Sequence, residues 1–455
     1  MTDGQTQGLQ GLTVVAGLGV SGLACLRHLL RQGVAVAATD TRADPPGLAE
    51  ARGLIGARFV SVNGLDAGML AAAKRIVVSP GLTPRHPALR RARAAGVPVV
   101  GELALFAEAL LTHPSATVLA VTGSNGKSTV TTLLGDMLRA AGRRVAVGGN
   151  LGPPALDLLD DGCPAVDCHV LEVSSFQLEA AGAFCPDVAA VLNLSADHLD
   201  RHGSLARYAA IKRRIFAGDG VMVLNADDAR VRSMARRRRS IRWFGETVPG
   251  LSSDFGVTRD GESDWLTHGQ QRLLSSRSIR LHGRHNLVNA AAALAMADAV
   301  GADLSACLTA LRAFSGLPHR METVAERSDV VWINDSKATN IGATLAAVRG
   351  LERPCVLLAG GVAKGQDFRA LAADLPASVR MVIVFGADAP LLLEALSARS
   401  GVTRVGNLCD AVNVARSSAV AGDVVLLSPA CASFDQYTDY AARGDHFRQL
   451  VMEAA

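Results

Sequence analysis

Twice this chain runs from a short apolar segment straight into a glycine-rich turn and then into a helical pattern, and this phrase restricts the folds open to it more than any other feature. The first instance is Val14-Val-Ala-Gly-Leu-Gly-Val-Ser-Gly22; the second is Ala120-Val-Thr-Gly-Ser-Asn-Gly-Lys-Ser-Thr129. A strand that turns tightly into a helix has to be followed by a crossover, and crossovers build parallel sheets covered by helices. The rest of the chain keeps this rhythm. Short apolar runs recur at Thr13 to Ala16, Arg75 to Val78, Thr117 to Val121, His169 to Val173, Val188 to Leu192, Val356 to Ala359, Met381 to Phe385 and Val424 to Leu427, separated by longer helical patterns. The expected class is α/β with parallel sheets.

At 455 residues the chain is too long for one core, and ~100–200 residues per domain predicts three. Thr112-His-Pro-Ser and Ser315-Gly-Leu-Pro punctuate it, so the expected domains are 1–111, 112–316 and 317–455. The stretch 240–282 has weak helical periodicity and reads as a β excursion within the middle domain. No repeat at solenoid spacing and no low-complexity tract is seen.

Charge excludes some functions. The net charge of +4 is scattered, without a basic stripe interleaved with aromatics, which argues against nucleic acid as a partner. Arg236 to Arg239 form one run, read as a solvated face. The eight cysteines include no C-x-x-C pair, so reduced thiols in a cytosol are expected rather than a disulfide frame or zinc site. No signal peptide and no ~20-residue apolar span is recognisable.

The glycine loops carry different chemistry. Gly17, Gly19 and Gly22 satisfy G-x-G-x-x-G, and Asp40 ends the next strand about 20 residues on, where a dinucleotide fold places its ribose-binding acid. NAD and a nucleotide diphosphate at a helix N-terminus both fit this pattern. The second loop lacks the early glycine of a standard phosphate loop, since Val121 stands there. Gly126-Lys127-Ser128 still supplies backbone N–H groups, a lysine for the outer phosphates and a hydroxyl for Mg²⁺. A dehydrogenase would not need the second loop, and a simple triphosphatase would not need the first.

Acids and histidines follow. Glu172 stands at a strand end, where a phosphate-loop sheet delivers an acid to its metal, and Asp197, His198, Asp200, Arg201 and His202 crowd one loop, read as a source of metal and phosphate contacts. Lys212 is the odd residue near it. Of 46 basic residues only Lys74, Lys127, Lys212, Lys337 and Lys364 are lysine. A neutral lysine amine can take up CO₂ to become an anionic carbamate and a metal ligand; a guanidinium with pKa above ~12 cannot.

Taken together, "GLGVSG", "DTR", "VSPG", "TGSNGKSTVTTL", "GGNLG", "LEVSSFQLE", "DHLDRH", "HNLVNA", "SGLPHR", "NDSKATN", "LLAGGVAKGQDF" and "LSPACASFDQY" resemble the Mur ligase family over nearly the whole chain. The resemblance implies a Rossmann-like N-terminal domain for a uridine nucleotide, a central ATPase domain and a C-terminal dinucleotide-fold domain. It also implies an activity: ATP-dependent addition of D-glutamate to UDP-N-acetylmuramoyl-L-alanine through an acyl phosphate, in peptidoglycan precursor synthesis. Carried over by position, Gly123, Ser124, Asn125, Gly126, Lys127, Ser128, Thr129, Asn289, Arg320 and Asp335 become ATP contacts. Ser128, Glu172, His198 and a carbamylated Lys212 become ligands of two Mg²⁺ ions, with Lys127, Glu172, His198 and Lys212 catalytic. Leu18, Val20, Ser21, Asp40, Thr41, Arg42, Gly81 and Asn150 become contacts of the uridine substrate. Lys337, Thr339, Lys364, Ser433 and Phe434 become glutamate contacts, Phe434 departing from the leucine of relatives. Four of the five lysines fall on this map, leaving Lys74 to the surface. A monomer in a bacterial cytoplasm, with small-molecule partners only, completes the expectation. The rivals are a ligase of the same superfamily with another acceptor, folate included; an NAD-dependent oxidoreductase; and a non-catalytic nucleotide-binding regulator.

Overall fold

The computed structural model describes residues 11–111, 116–159, 166–246, 251–261, 263–281, 283–351 and 353–453. These build three sheets in chain order, and each has helices on its faces.

The first sheet contains β1 (Thr13–Ala16), β2 (Val36–Thr39), β3 (Val60–Ser61), β4 (Arg75–Val78) and β5 (Val99–Val100) in the order β3-β2-β1-β4-β5, all parallel. Strand order reverses between β1 and β4. At that point the loops leaving the two strands diverge and open a crevice at their carboxyl ends. The first glycine loop leaves β1 there and enters helix Val20–Arg31; a Cβ on Gly22 would overlap the Gly17 carbonyl oxygen, so this helix packs tightly against the loop only because position 22 is glycine.

The second sheet contains β6 (Thr117–Thr122), β7 (Val145–Gly149), β8 (Cys168–Glu172), β9 (Val188–Val191), β10 (Val221–Asn225), β11 (Ile241–Gly245), β12 (Phe255–Asp260), β13 (Ser263–His268) and β14 (Gln271–Ser275). Its order is β14-β13-β12-β11-β10-β9-β6-β8-β7, parallel from β7 to β12. The expected β excursion is the antiparallel continuation β12–β14, joined through β11 to the parallel part rather than folded separately. Helix Arg284–Ala299 presents an unbroken alanine-rich run, Ala290 to Ala297, with every residue buried. Small side chains let it lie close to the sheet and to helix Lys127–Ala140, and this places the start of both helices beside one another.

The third sheet contains β15 (Glu322–Arg327), β16 (Val330–Asn334), β17 (Cys355–Gly360), β18 (Val379–Phe385), β19 (Val402–Arg404) and β20 (Val424–Leu427) in the order β15-β16-β20-β17-β18-β19. Only β15–β16 is antiparallel. In the basic run Arg236, Arg237 and Arg238 are exposed, as a solvated face requires, while Arg239 folds inward and donates to the carbonyls of Phe216, Gly218 and Gly220. Among the described residues no helix is long and apolar enough to cross a membrane.

Candidate active site

The second glycine loop begins where β6 ends. Gly126 has φ 83°, in the left-handed region, so the backbone turns abruptly into helix Lys127–Ala140. A Cβ there would overlap Asn289 Oδ1, which ties the loop to the first turns of helix Arg284–Ala299. Ser124 Oγ donates to Ser195 O at 3.1 Å and accepts from Ser195 N at 3.0 Å, and Asn125 N donates to Asn193 Oδ1 at 2.8 Å. The loop is thus held rigidly by the segment that follows β9. Lys127 folds back and donates to Gly123 O (3.0 Å) and Ser124 O (2.9 Å). Burial pushes its pKa down, against the opposing pull of Glu172 and Asp197.

A hydrogen-bonded chain runs outward from Ser128. Its hydroxyl donates to Glu172 Oε2 (2.5 Å) and accepts from Arg320 Nη2 (2.7 Å), while Glu172 Oε1 accepts from Asn150 Nδ2 (2.6 Å). Burial opposes ionisation of Glu172, yet Lys127, Ser128, Asn150 and Arg320 hold its pKa below the usual carboxylate range. Glu172 is therefore a buried, charged oxygen donor at the carboxyl end of β8.

On the other side of the loop, Lys212 is 1% exposed and donates from Nζ to Thr122 Oγ1 (3.1 Å) and Gly123 O (2.9 Å), 4.7 Å over the Tyr208 ring. Burial first, then Lys127, depress its pKa well below that of an ordinary lysine, and Asp197 and Glu172 oppose the shift. An amine in this position favours its neutral form. His198 has φ 51° at the start of the short helix Leu199–His202, and its Nε2 lies 3.6 Å from Asp197 Oδ2. Its pKa is lowered by burial, with Asp197 opposing. Among the described residues no three His, Cys, Asp or Glu side chains gather into a metal-binding group. The donors present, a charged carboxylate beside a serine hydroxyl together with an imidazole and an amine whose burial favours their neutral forms, suit a hard cation whose remaining ligands are phosphate oxygens.

Two larger cavities flank this centre. One of about 560 Å³ opens at the β1/β4 reversal and is lined by Val20, Ser21, Asp40, Thr41, Arg42, Ser79, Gly81 and, from the second sheet, Asn150 and Gln177. Leu18 is fully buried and joins it only through its backbone: Leu18 N donates to Asp40 Oδ2 at 2.6 Å. Asp40 also accepts from Arg42 N and its guanidinium, so the carboxylate that a dinucleotide fold would offer to a ribose is already engaged. The other cavity, about 420 Å³, is lined by Asn125, Gly126 and Asn289 together with Asn193, Asn225, Asp227, Phe244 and His285. Sequence reasoning missed these last five. Their signal was positional, because Asn193 and Asn225 stand at or just beyond the carboxyl ends of β9 and β10.

The third sheet closes the centre from a third side. A crevice of about 70 Å³ is lined by Thr129, Asn289, Arg320, Asp335 and Lys337. Asp335 accepts from Ser428 Oγ (2.8 Å) and Met321 N (3.2 Å), and burial raises its pKa to about 7. Lys337 Nζ lies 3.5 Å over the Tyr440 ring, its pKa lowered by burial to about 7. Lys364, at φ 52°, donates to Asp197 Oδ1 at 3.4 Å, and Asn340 bonds both Asn125 and Asp197. Thr339 is half-buried, and its carbonyl accepts from Gln366. Ser433 is buried, whereas Phe434 stands apart at 71% exposed. Of the acidic loop, Asp197 and His198 face the centre, Asp200 is exposed, and His202 turns inward to Ser175 (3.0 Å). Arg201 reaches the first sheet's loop 80–82 instead of a phosphate position.

The chain is similar to known proteins along most of its length. Family models described as the Mur ligase MurD-like N-terminal domain, the Mur ligase middle domain and the Mur ligase glutamate ligase domain match residues 11–101, 121–297 and 319–431. The chain is 47% identical over 445 residues to a UDP-N-acetylmuramoylalanine--D-glutamate ligase of Nitrosococcus oceani, covering 97% of this chain and 96% of that one. It is 49% identical to the same-named enzyme of Chromohalobacter salexigens, covering 96% of each. Among solved structures, MurF from Acinetobacter baumannii matches with a TM-score of 0.62 at 18% identity, over all of this chain and 92% of that one. The UDP-N-acetylmuramate-alanine ligase of Thermotoga maritima matches at 0.60 and 19%, over 98% and 100%. At such identities the structures attest the fold alone. With three models matching in the order of the three sheets and relatives nearly half identical along almost its full length, the chain belongs to the Mur ligase family.

Proposed function

We propose that this chain is an ATP-dependent ligase that joins the alanyl carboxylate of UDP-N-acetylmuramoyl-L-alanine to the amine of D-glutamate, releasing ADP and phosphate in peptidoglycan precursor synthesis. One observation carries the reading: the chain Asn150–Glu172–Ser128 runs from the wall of the 560 Å³ cavity to the phosphate loop, so a carboxylate at the inner end of one substrate meets the outer phosphate of the other. The relatives' name supplies the substrates.

A carboxylate is a poor electrophile and repels a triphosphate, so positioning and charge neutralisation dominate. A carboxylate oxygen attacks the γ-phosphorus and ADP leaves with the bridging oxygen. The glutamate nitrogen then attacks the acyl carbon, and phosphate departs with the C–O electron pair while the amine loses its proton. Lys127 exchanges its two loop carbonyls for phosphate oxygens, and Arg320, already bonded to Ser128, brings a second fixed cation from the third sheet's domain. Ser128 and Glu172 would hold one Mg²⁺, and His198 with a carbamate made from Lys212 and CO₂ a second, the ions neutralising charge between triphosphate and incoming carboxylate. Asn289 contacts adenine and Asp335 the nucleotide, while Lys364, Thr339, Lys337 and the Ser433–Phe434 backbone receive glutamate.

The domains are 1–111 for the uridine nucleotide, 112–316 for ATP and 317–455 for glutamate, acting as a monomer in the bacterial cytoplasm. Closure of the third domain assembles the site. The test is ADP release with UDP-N-acetylmuramoyl-L-alanine against a panel of D- and L-amino acids. Stimulation by D-glutamate alone is expected; stimulation by another acceptor, or by a folate, would move the chain to a different branch of the family.

A further inference from the structure

Arg201 uses all five of its N–H donors, and they divide between two sheets. Nη1 donates to Pro80 O (2.8 Å) and Gly81 O (3.3 Å), and Nη2 to Leu82 O (3.1 Å). Nε (3.0 Å) and Nη2 (2.5 Å) both donate to Glu179 Oε2. The guanidinium lies 4.0 Å over the Phe176 ring, and only 11% of the side chain is exposed. A return bond runs from Arg85 Nη2 to Arg201 O at 2.8 Å. Pro80, Gly81 and Leu82 line the 560 Å³ cavity, and Arg201 stands three residues beyond His198.

We propose that Arg201 is a positioning residue that fixes the span between the uridine-binding loop of the first sheet and the phosphate loop of the second, so that a substrate gripped at its nucleotide end presents its carboxylate at the right distance. The inference rests on the substrate assignment proposed above. Moving the first sheet relative to the second would break the bonds to three carbonyls at once and leave the guanidinium, buried against Glu179 and Phe176, with donors unpaired. Lysine could not replace the residue, because one ammonium cannot serve a fork of diverging acceptors and stack on a ring.

The test is Arg201→Lys, with Glu179→Gln as a milder second variant, read by steady-state kinetics, by equilibrium titration with UDP and with UDP-N-acetylmuramoyl-L-alanine, and by melting temperature. For Arg201→Lys the KM and Kd for the full substrate rise about tenfold or more. The Kd for UDP alone, which touches one end, moves less, and the KM for ATP stays within about twofold. Glu179→Gln shifts the same constants in the same direction by a smaller factor. A fall in melting temperature with unchanged substrate constants, or an equal rise for ATP and the uridine substrate, would overturn the proposal. If Arg201→Lys does not fold, Glu179→Gln decides alone. Failure of the substrate assignment itself shows separately, as a wild-type enzyme that neither binds nor turns over the uridine substrate.

Discussion

Lys212→Arg keeps a basic side chain and removes the chemistry of a neutral amine, so it separates a structural cation from a reactive amine. The pocket around Nζ is closed by Thr122 Oγ1 at 3.1 Å, Gly123 O at 2.9 Å and the Tyr208 ring at 4.7 Å, with 1% of the residue exposed. Two further heavy atoms in so full a space cost about 1–3 kcal/mol of stability. Burial holds the native amine's pKa well below that of an ordinary lysine, so loss of its proton relieves the cost of burying a charge. A guanidinium has no such route, and an uncompensated buried charge adds about 3–5 kcal/mol. If a carbamate on Lys212 is needed for phosphoryl transfer, the rate falls about a thousandfold or more, equivalent to about 4 kcal/mol in the barrier. ADP release measured alongside thermal unfolding keeps the two effects apart, and Lys212→Met, neutral and of similar length, provides a folded control that should be equally inactive. Lys212→Ala should regain part of its activity with acetate or another short carboxylic acid, which leaves the wild type unaffected. A Lys212→Arg enzyme that keeps its activity within about tenfold of wild type, equivalent to about 1.4 kcal/mol, or a Lys212→Met enzyme that turns over normally, would refute the carbamate reading.

Two further outcomes are expected. Asp335 has a folded pKa of about 7 against an ordinary 3.8, so its contribution to stability is complete below about pH 4 and is lost as pH rises through 7. Asp335→Asn can keep bonds to Ser428 and Met321 and should flatten that part of the wild-type stability profile, a difference of the order of 2–4 kcal/mol read from unfolding midpoints at pH 5 and pH 8; parallel profiles would contradict the shift. Gly126→Ala places a Cβ against Asn289 Oδ1 at a left-handed backbone position, so the KM for ATP should rise about tenfold or more while that for the uridine substrate stays nearly constant; unchanged ATP kinetics would count against the loop geometry.

Much of the architecture was legible because buried parallel strands write themselves as unbroken apolar runs. Thr13–Ala16, Arg75–Val78 and Val424–Leu427 are strands to the residue. The second glycine loop announced its own location. The cavity residues Asn193, Asn225 and Asp227 did not, since nothing in a local pattern tells an asparagine that caps a turn from one that lines a cleft. Arg201 illustrates the deeper limit. Surrounded in sequence by Asp197, His198 and Asp200 it reads as part of a metal and phosphate loop, but three of its partners lie more than a hundred residues away beside another sheet. Asp40 is similar: its spacing suggests a ribose acceptor, whereas the backbone of the first glycine loop and Arg42 take up its oxygens.

His198 and Lys364 share a feature that bears on engineering. Both hold left-handed backbone although neither is glycine, at φ 51° and 52°. Such a conformation costs about 1–2 kcal/mol in an ordinary residue, and glycine at either position would relax it. A selection for heat resistance alone would therefore be drawn toward glycine at the two places where, on the proposed mechanism, the side chain cannot be spared. Libraries built to harden this enzyme should hold positions 198 and 364 constant and seek their gains in the exposed arginine turn or on the outer helix faces.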